Sequence, residues 1–122
     1  MPQRNYQDLM AWQEAMKLVE MVYRHSREFP KEEQFCLVTQ LRRAAISVPS
    51  NTAEGQGRRS SREFSRFLDI AHGSLRELET QILISRQLGY VTVDAIAPVI
   101  EQASLVGRLI TGLINSLREQ HE

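Results

Sequence analysis

Apolar side chains recur along this chain with the period of a helix. Leu9, Trp12, Met16, Val19 and Tyr23 step by 3, 4, 3 and 4 residues, and Leu18 and Val22 widen that face. Asp8 is a good N-cap ahead of the stripe, and Phe29-Pro30 ends it, so the pattern predicts a first helix over residues 8–28. After Pro30, Lys31-Glu32-Glu33 places two carboxylates in a first turn, where the helix dipole favours them. Leu37, Val38, Leu41, Ala44, Ala45 and Val48 continue as the apolar set of a second helix over residues 31–54. Pro49 should kink or stop it, because proline lacks a backbone donor and clashes one turn back; the pattern leaves open whether residues 50–54 stay helical. Gly55-Gln56-Gly57 is the clearest break in the chain. Ser60 or Ser61 can cap a third helix over residues 61–88, with Phe64, Phe67, Leu68, Ala71, Leu75, Leu78 and Ile82 inside and Gly89-Tyr90 closing it. The fourth helix, residues 94–118, has the cleanest stripe: Ile96, Val99, Ala103, Val106, Ile110, Leu113 and Leu117. No alternating run of strand length competes with these four.

Four amphipathic helices with short connections predict an all-α, antiparallel up-down-up-down four-helix bundle, one domain over residues 1–122. The last helix carries more apolar surface than one bundle uses. Its stripe covers roughly 140° of the circumference, and Leu105 and Leu109 extend the arc to roughly 220°. A helix with one packing face shows little more than about 100°. Gly107 and Gly112 also sit mid-helix, each costing about 1 kcal/mol against alanine, which a closely approaching backbone would make tolerable. Leu105, Leu109 and Gly112 are therefore the candidate contact between copies of the chain, and a homo-oligomer is the expected state.

Composition changes this picture little. With 122 residues, 42% apolar and 25% charged, the chain has ordinary globular values. Fifteen Lys and Arg balance fifteen Asp and Glu, so net charge announces neither nucleic acid nor membrane. A single cysteine, Cys36, excludes a disulfide framework within the chain and suits a reducing compartment. Residues 1–8 lack the apolar stretch of a signal peptide, and no apolar run approaches the ~20 residues of a membrane helix. The expectation is a cytoplasmic protein with no membrane partner.

Catalytic and metal constellations are missing from the pattern. Carboxylate-bridged metal bundles need Glu-x-x-His on two helices, whereas Asp69-Ile-Ala-His72 is a single copy with the wrong acid. Cys36 has no histidine placed by sequence to activate it. The loop Gly55-Gln-Gly57-Arg58-Arg59-Ser60-Ser61 lacks the spacing and lysine of a P-loop, and no strand leads into it. Neither metal, cofactor nor small-molecule substrate is expected, and neither is an enzyme.

The arginines are more informative. Thirteen of the fifteen basic residues are Arg, and residues 42–66 hold six of them against Glu54 and Glu63. Arg58, Arg59, Arg62 and Arg66 fall in the loop and first turns of the third helix, where cations oppose the dipole and add nothing to helix stability. With Arg43 they form the candidate nucleic-acid contact, since clustered guanidiniums grip phosphates bidentately. The bland reading is a solvated face or ion pairs between subunits. Arg42 borders the core stripe and is expected to form a structural salt bridge with Glu77 or Glu79.

Several motifs together resemble one family. They are Asp8-Leu-Met-Ala-Trp12-Gln-Glu-Ala, Phe29-Pro30-Lys, Gln40-Leu-Arg-Arg-Ala-Ala-Ile-Ser-Val-Pro49-Ser-Asn51-Thr-Ala-Glu54-Gly55, Phe67-Leu-Asp-Ile-Ala71-His-Gly73-Ser74-Leu-Arg-Glu77-Leu-Glu79 and Leu88-Gly89-Tyr90. The chain is similar along nearly its whole length to the four-helix-bundle proteins encoded in intervening sequences of bacterial 23S ribosomal RNA genes. Thr52 stands where that family more usually has Ile. The resemblance implies a ring-like homopentamer and no catalytic residues. A related branch, the accessory protein of diversity-generating retroelements, is strongly basic and binds reverse transcriptase and nucleic acid; in this neutral chain only the local arginine cluster matches that property. Two functional classes follow: an oligomeric module that contacts RNA or a ribonucleoprotein through the arginine-rich loop, and a scaffold or adaptor for a protein partner with no nucleic-acid contact.

Overall fold

The computed structural model describes residues 5–121. After a 3-10 turn at Tyr6–Asp8, the chain forms α1 (Met10–Ser26), a 3-10 turn (Lys31–Glu33), α2 (Leu37–Gln56), α3 (Ser61–Gln87) and α4 (Val93–His121). Among the described residues there is no strand. Each helix packs against two neighbours, α2 and α3 most extensively, while the diagonal pairs α1–α3 and α2–α4 make no close backbone approach. Inward-facing Leu18, Leu41, Leu68, Leu75, Leu78 and Ile110 are fully buried and fill the centre.

Local chemistry sets the helix ends. Ser60 takes the N-cap of α3, its hydroxyl accepting from the Glu63 N–H at 3.1 Å. At the other end the Tyr90 N–H reaches Ser85 O at 2.9 Å and the Gly89 N–H reaches Arg86 O at 3.0 Å, a Schellman closure. That closure needs Gly89 at φ +81°, a conformation that a Cβ would strain. Thr92 caps α4, accepting from the Ala95 N–H at 3.1 Å. The two connections at this end of the bundle are tied together. The Tyr90 hydroxyl donates to Glu33 at 2.7 Å, and the Phe29 and Tyr90 rings lie 5.6 Å apart.

Several expectations from the pattern shift. Asp8 ends a 3-10 turn rather than capping α1, and Lys31–Glu33 is a separate turn, so α2 begins at Leu37. Pro49 neither stops nor shortens α2, which runs on to Gln56, so residues 50–54 are helical. The buried Thr52 hydroxyl donates to Val48 O at 2.8 Å, which satisfies it within its own helix. Gly55 belongs to α2 rather than to the loop, and it is buried. A Cβ there would lie 2.7 Å from Phe67 Cβ and 3.0 Å from Phe64 Cδ1, so α2 and α3 approach too closely at this point for any side chain.

The buried face of α1 keeps Leu18 and Val22 from the expected one but is centred on that edge of it. Its core residues are Ala11, Ala15, Leu18 and Val22, while Met16 is 44% exposed and Trp12, Val19 and Tyr23 are half-buried. The two stripes are offset by one residue, about 100° around the helix. Small alanines face the bundle and let α1 approach; the larger stripe lies on the flank beside α2. On α4, Ile114 rather than Leu113 is the buried residue after Ile110. A strict seven-residue repeat drifts about 20° per heptad on a straight helix, which carries position 113 off the core side.

Between α1 and α4, the Gln102 side-chain amide donates to Glu14 O at 2.9 Å and to its carboxylate at 3.1 Å. That bond, followed by the one from Lys17, holds the Glu14 carboxyl below the ordinary glutamate range. A carboxyl depressed by folding contributes stability above its unfolded pKa and loses it as pH falls through the folded value. Glu14 is therefore expected to titrate below the ordinary glutamate range by carbon-detected NMR, and Gln102→Ala should move its titration upward. An unmoved Glu14 in that variant would remove the hydrogen bond as the cause.

Candidate functional site

The arginine cluster does not act as one unit. Arg58 is engaged: its guanidinium donates to Glu54 at 3.2 Å and lies over the Phe67 ring at 4.8 Å. It braces the end of α2 against α3 next to Gly55. Arg59, Arg62 and Arg66 are exposed and have no ion-pair partner among the described residues. Arg62 and Arg66 sit one turn apart on the outer face of α3, while Arg59 stands in the turn before it. Arg43 lies elsewhere. It lines a shallow groove of about 240 Å³ between α2 and α3 with Gln40, Ser47, Ser74 and Glu77. Glu77 is 11 residues from Arg66 along α3, or about 16 Å. Arg43 is therefore not joined to the loop cluster.

The expected salt bridge from Arg42 to Glu77 or Glu79 does not form. The Arg42 Nε donates to the buried Ser26 hydroxyl at 2.9 Å, and the guanidinium lies over the Tyr23 ring at 4.4 Å. Arg42 therefore faces α1, not α3, and serves the α1–α2 seam. Glu79 instead pairs with Arg76 at 3.7 Å, and Glu77 accepts from the Gln81 amide at 3.2 Å.

The residues expected at a contact between copies make up only part of the exposed apolar surface. Leu105 and Leu109 are half-buried, with Leu109 packed against the core, so α4 is less bare than its arc implies. A Cβ on Gly112 would meet nothing within 4 Å. The large exposed apolar residues lie instead at Met10 and Met16 on α1, Ile46 on α2, and Ile70, Leu83 and Ile84 on α3. Phe35, 85% exposed, stands with Leu88 and Val93 at the end of the bundle that carries the α1–α2 and α3–α4 connections.

One feature lies outside the residues singled out by the sequence pattern. Between α3 and α4 runs an open groove of about 430 Å³, lined among others by His72, Arg76, Glu79, Arg108, Thr111 and Asn115. Arg76 comes from one wall and Arg108 from the other. Arg62, Asp69 and Arg76 recur every seven residues, which places them on one flank of α3; that spacing was the available signal, but Arg108 meets them only through the packing of α4. Among the described residues no three His, Cys, Asp or Glu side chains converge as a metal-binding group, and no helix is long and apolar enough to cross a membrane.

The fold is shared with a solved structure, that of a protein of unknown function from the S23 ribosomal protein family of Bacteroides thetaiotaomicron. The two superpose with a TM-score of 0.77 at 18% identity, over 86% of this chain and 98% of the other. No curated protein matches the chain. Residues 7–112, from the turn before α1 to the glycine midway along α4, match the 23S rRNA-intervening sequence proteins. With four helices of the same arrangement as an S23 relative and a match over most of its length, the chain belongs to the 23S rRNA-intervening sequence protein family.

Proposed function

We propose that this protein is a non-enzymatic, self-associating bundle that contacts RNA or a ribonucleoprotein through the N-terminal end of α3. The observation that carries this reading is the trio Arg59, Arg62 and Arg66: three exposed guanidiniums with no acidic partner among the described residues, placed where they oppose the helix dipole. Such groups suit phosphate oxygens, which accept two parallel N–H bonds from each guanidinium. Arg58 positions the loop through Glu54 and Phe67. The helices run up-down-up-down in this reading, supported by Ser47 meeting Ser74 while Gly55 meets Phe64 and Phe67. A ring of copies, the pentamer that the family resemblance suggests, would cover exposed apolar residues such as Met16, Ile46 and Ile70.

A second reading is an adaptor for a protein partner. Phe35, exposed at the same end of the bundle as Leu88 and Val93, favours it as a candidate anchor.

One affinity experiment separates the two. The tagged protein is recovered from native lysate, with and without nuclease, at low and moderate salt. The RNA reading expects ribosomal RNA that is released steeply as salt rises, and its loss in an Arg62→Glu/Arg66→Glu variant. Absence of RNA at low salt, with a nuclease-resistant protein in its place that Phe35→Ala releases, would establish the adaptor reading instead.

A further inference from the structure

We propose that the α3–α4 groove forms a second part of the RNA contact, with Arg76 and Arg108 gripping backbone phosphates beyond those held at the α3 N-terminus; this inference rests on the RNA reading above. Arg62 and Arg76 are 14 residues apart on one flank of α3, a separation of about 21 Å along the axis. With Arg58 paired to Glu54, Arg59, Arg62, Arg66 and Arg76 outnumber Glu63 and Asp69 between the loop and the groove, so this stretch of α3 is locally cationic although the whole chain is neutral and Asp69 lies between Arg62 and Arg76. Within the groove, cations from two helices face one open space. Its volume of about 430 Å³ falls in the range of small-ligand sites.

The arginines there have capacity to spare. Arg108 donates one N–H to Ser104 at 2.9 Å, which orients the guanidinium and leaves further donors on the same fork for a ligand in the groove. The Arg76 side chain is 71% exposed, and its 3.7 Å approach to Glu79 is longer than a hydrogen bond, so a phosphate can displace it at small cost. Thr111 and Asn115 add neutral hydrogen-bonding groups. Gly112 leaves the wall open, since a side chain there would project into unfilled space. Glu79 is the one opposing charge, and it supplies a test that a purely structural role would not satisfy.

Binding of purified 23S ribosomal RNA is measured by fluorescence anisotropy across a salt series. The proteins compared are the wild type, Arg62→Glu/Arg66→Glu, Arg76→Gln/Arg108→Gln and Glu79→Gln, each with its thermal midpoint recorded. For Arg76→Gln/Arg108→Gln, the slope of log affinity against log salt should fall by roughly 1.4 to 1.8, at 0.7 to 0.9 for each phosphate that is no longer neutralised. Glu79→Gln should raise affinity, because it removes the like charge beside the phosphate. Unchanged slope in Arg76→Gln/Arg108→Gln, or weaker binding in Glu79→Gln, overturns the groove proposal. If Arg62→Glu/Arg66→Glu still abolishes binding in that case, the loop reading survives alone. A wild type that binds no RNA removes both.

Discussion

Replacing Gly55 with valine is expected to destabilise the protein by about 2–3 kcal/mol, the cost of forcing atoms into a full space. The Phe64 ring, with Cδ1 3.0 Å from a new Cβ, could turn aside, but Phe67 Cβ at 2.7 Å and Phe64 O at 3.3 Å could not. Neither is the far end of a flexible side chain, so relief requires α2 and α3 to move apart. That movement would also draw Arg58 off the Phe67 ring and disturb the turn that presents Arg59. Gly57, two residues on, makes the contrast. Its Cβ would lie 3.6 Å from Glu54 O, and its φ of −78° suits any residue. Gly57→Ala should leave stability unchanged or raise it by about 0.4–1 kcal/mol through the unfolded chain. Denaturant midpoints at constant m-value measure both. Equal effects at the two glycines would show that α2 and α3 do not meet closely at Gly55.

The second large effect concerns α1. Leu18→Ala should cost about 2–5 kcal/mol, because Leu18 is fully buried in the core and truncation leaves a cavity there. Met16→Ala should cost less than about 1 kcal/mol, since nearly half of that side chain already meets solvent. The heptad stripe through Trp12, Met16 and Tyr23 gives the opposite order. A larger loss at Met16 than at Leu18 would therefore restore that stripe as the inner face of α1. Both variants are best measured at a fixed protein concentration, because the proposed self-association would couple to stability. Since Met16 is a candidate for cover by a neighbouring copy, a concentration-dependent loss at Met16 would itself report that contact.

These cases mark how far the linear pattern reaches. Four helices, the capping serine at α3, the glycine closure at Gly89 and the α3 core from Leu68 to Ile82 were legible, because each depends on neighbours within about one helical turn, whereas Phe64 and Phe67, expected inside, are half-buried. The family was legible too, through the run from Gln40 to Gly55 and the motifs on either side of it. Arg62 and Arg66 could be placed on an outer face of α3 from periodicity alone.

Other features depend on contacts between helices. Pro49 reads as an interruption, yet α2 continues through it, since packing on α1 and α3 outweighs the loss of one backbone bond. Arg42 and Arg43 are adjacent in sequence but face different neighbours: one meets Ser26 and Tyr23 on α1, the other lines a groove with Glu77 on α3. A hydrophobic stripe identifies a face but not its rotation when two stripes overlap, as on α1. Likewise Arg76 and Arg108 are 32 positions apart and share a groove only because α3 and α4 pack side by side.

Sequence by itself determined the helical class, the helix count, most termini and the family, because periodicity and capping act over a few residues. Tertiary structure alone decided which stripe of α1 is buried, why Gly55 must lack a side chain, where Arg42 finds its partners and which cations line one groove. Those outcomes follow from the rotation and separation of packed helices, which residues distant in the chain set jointly.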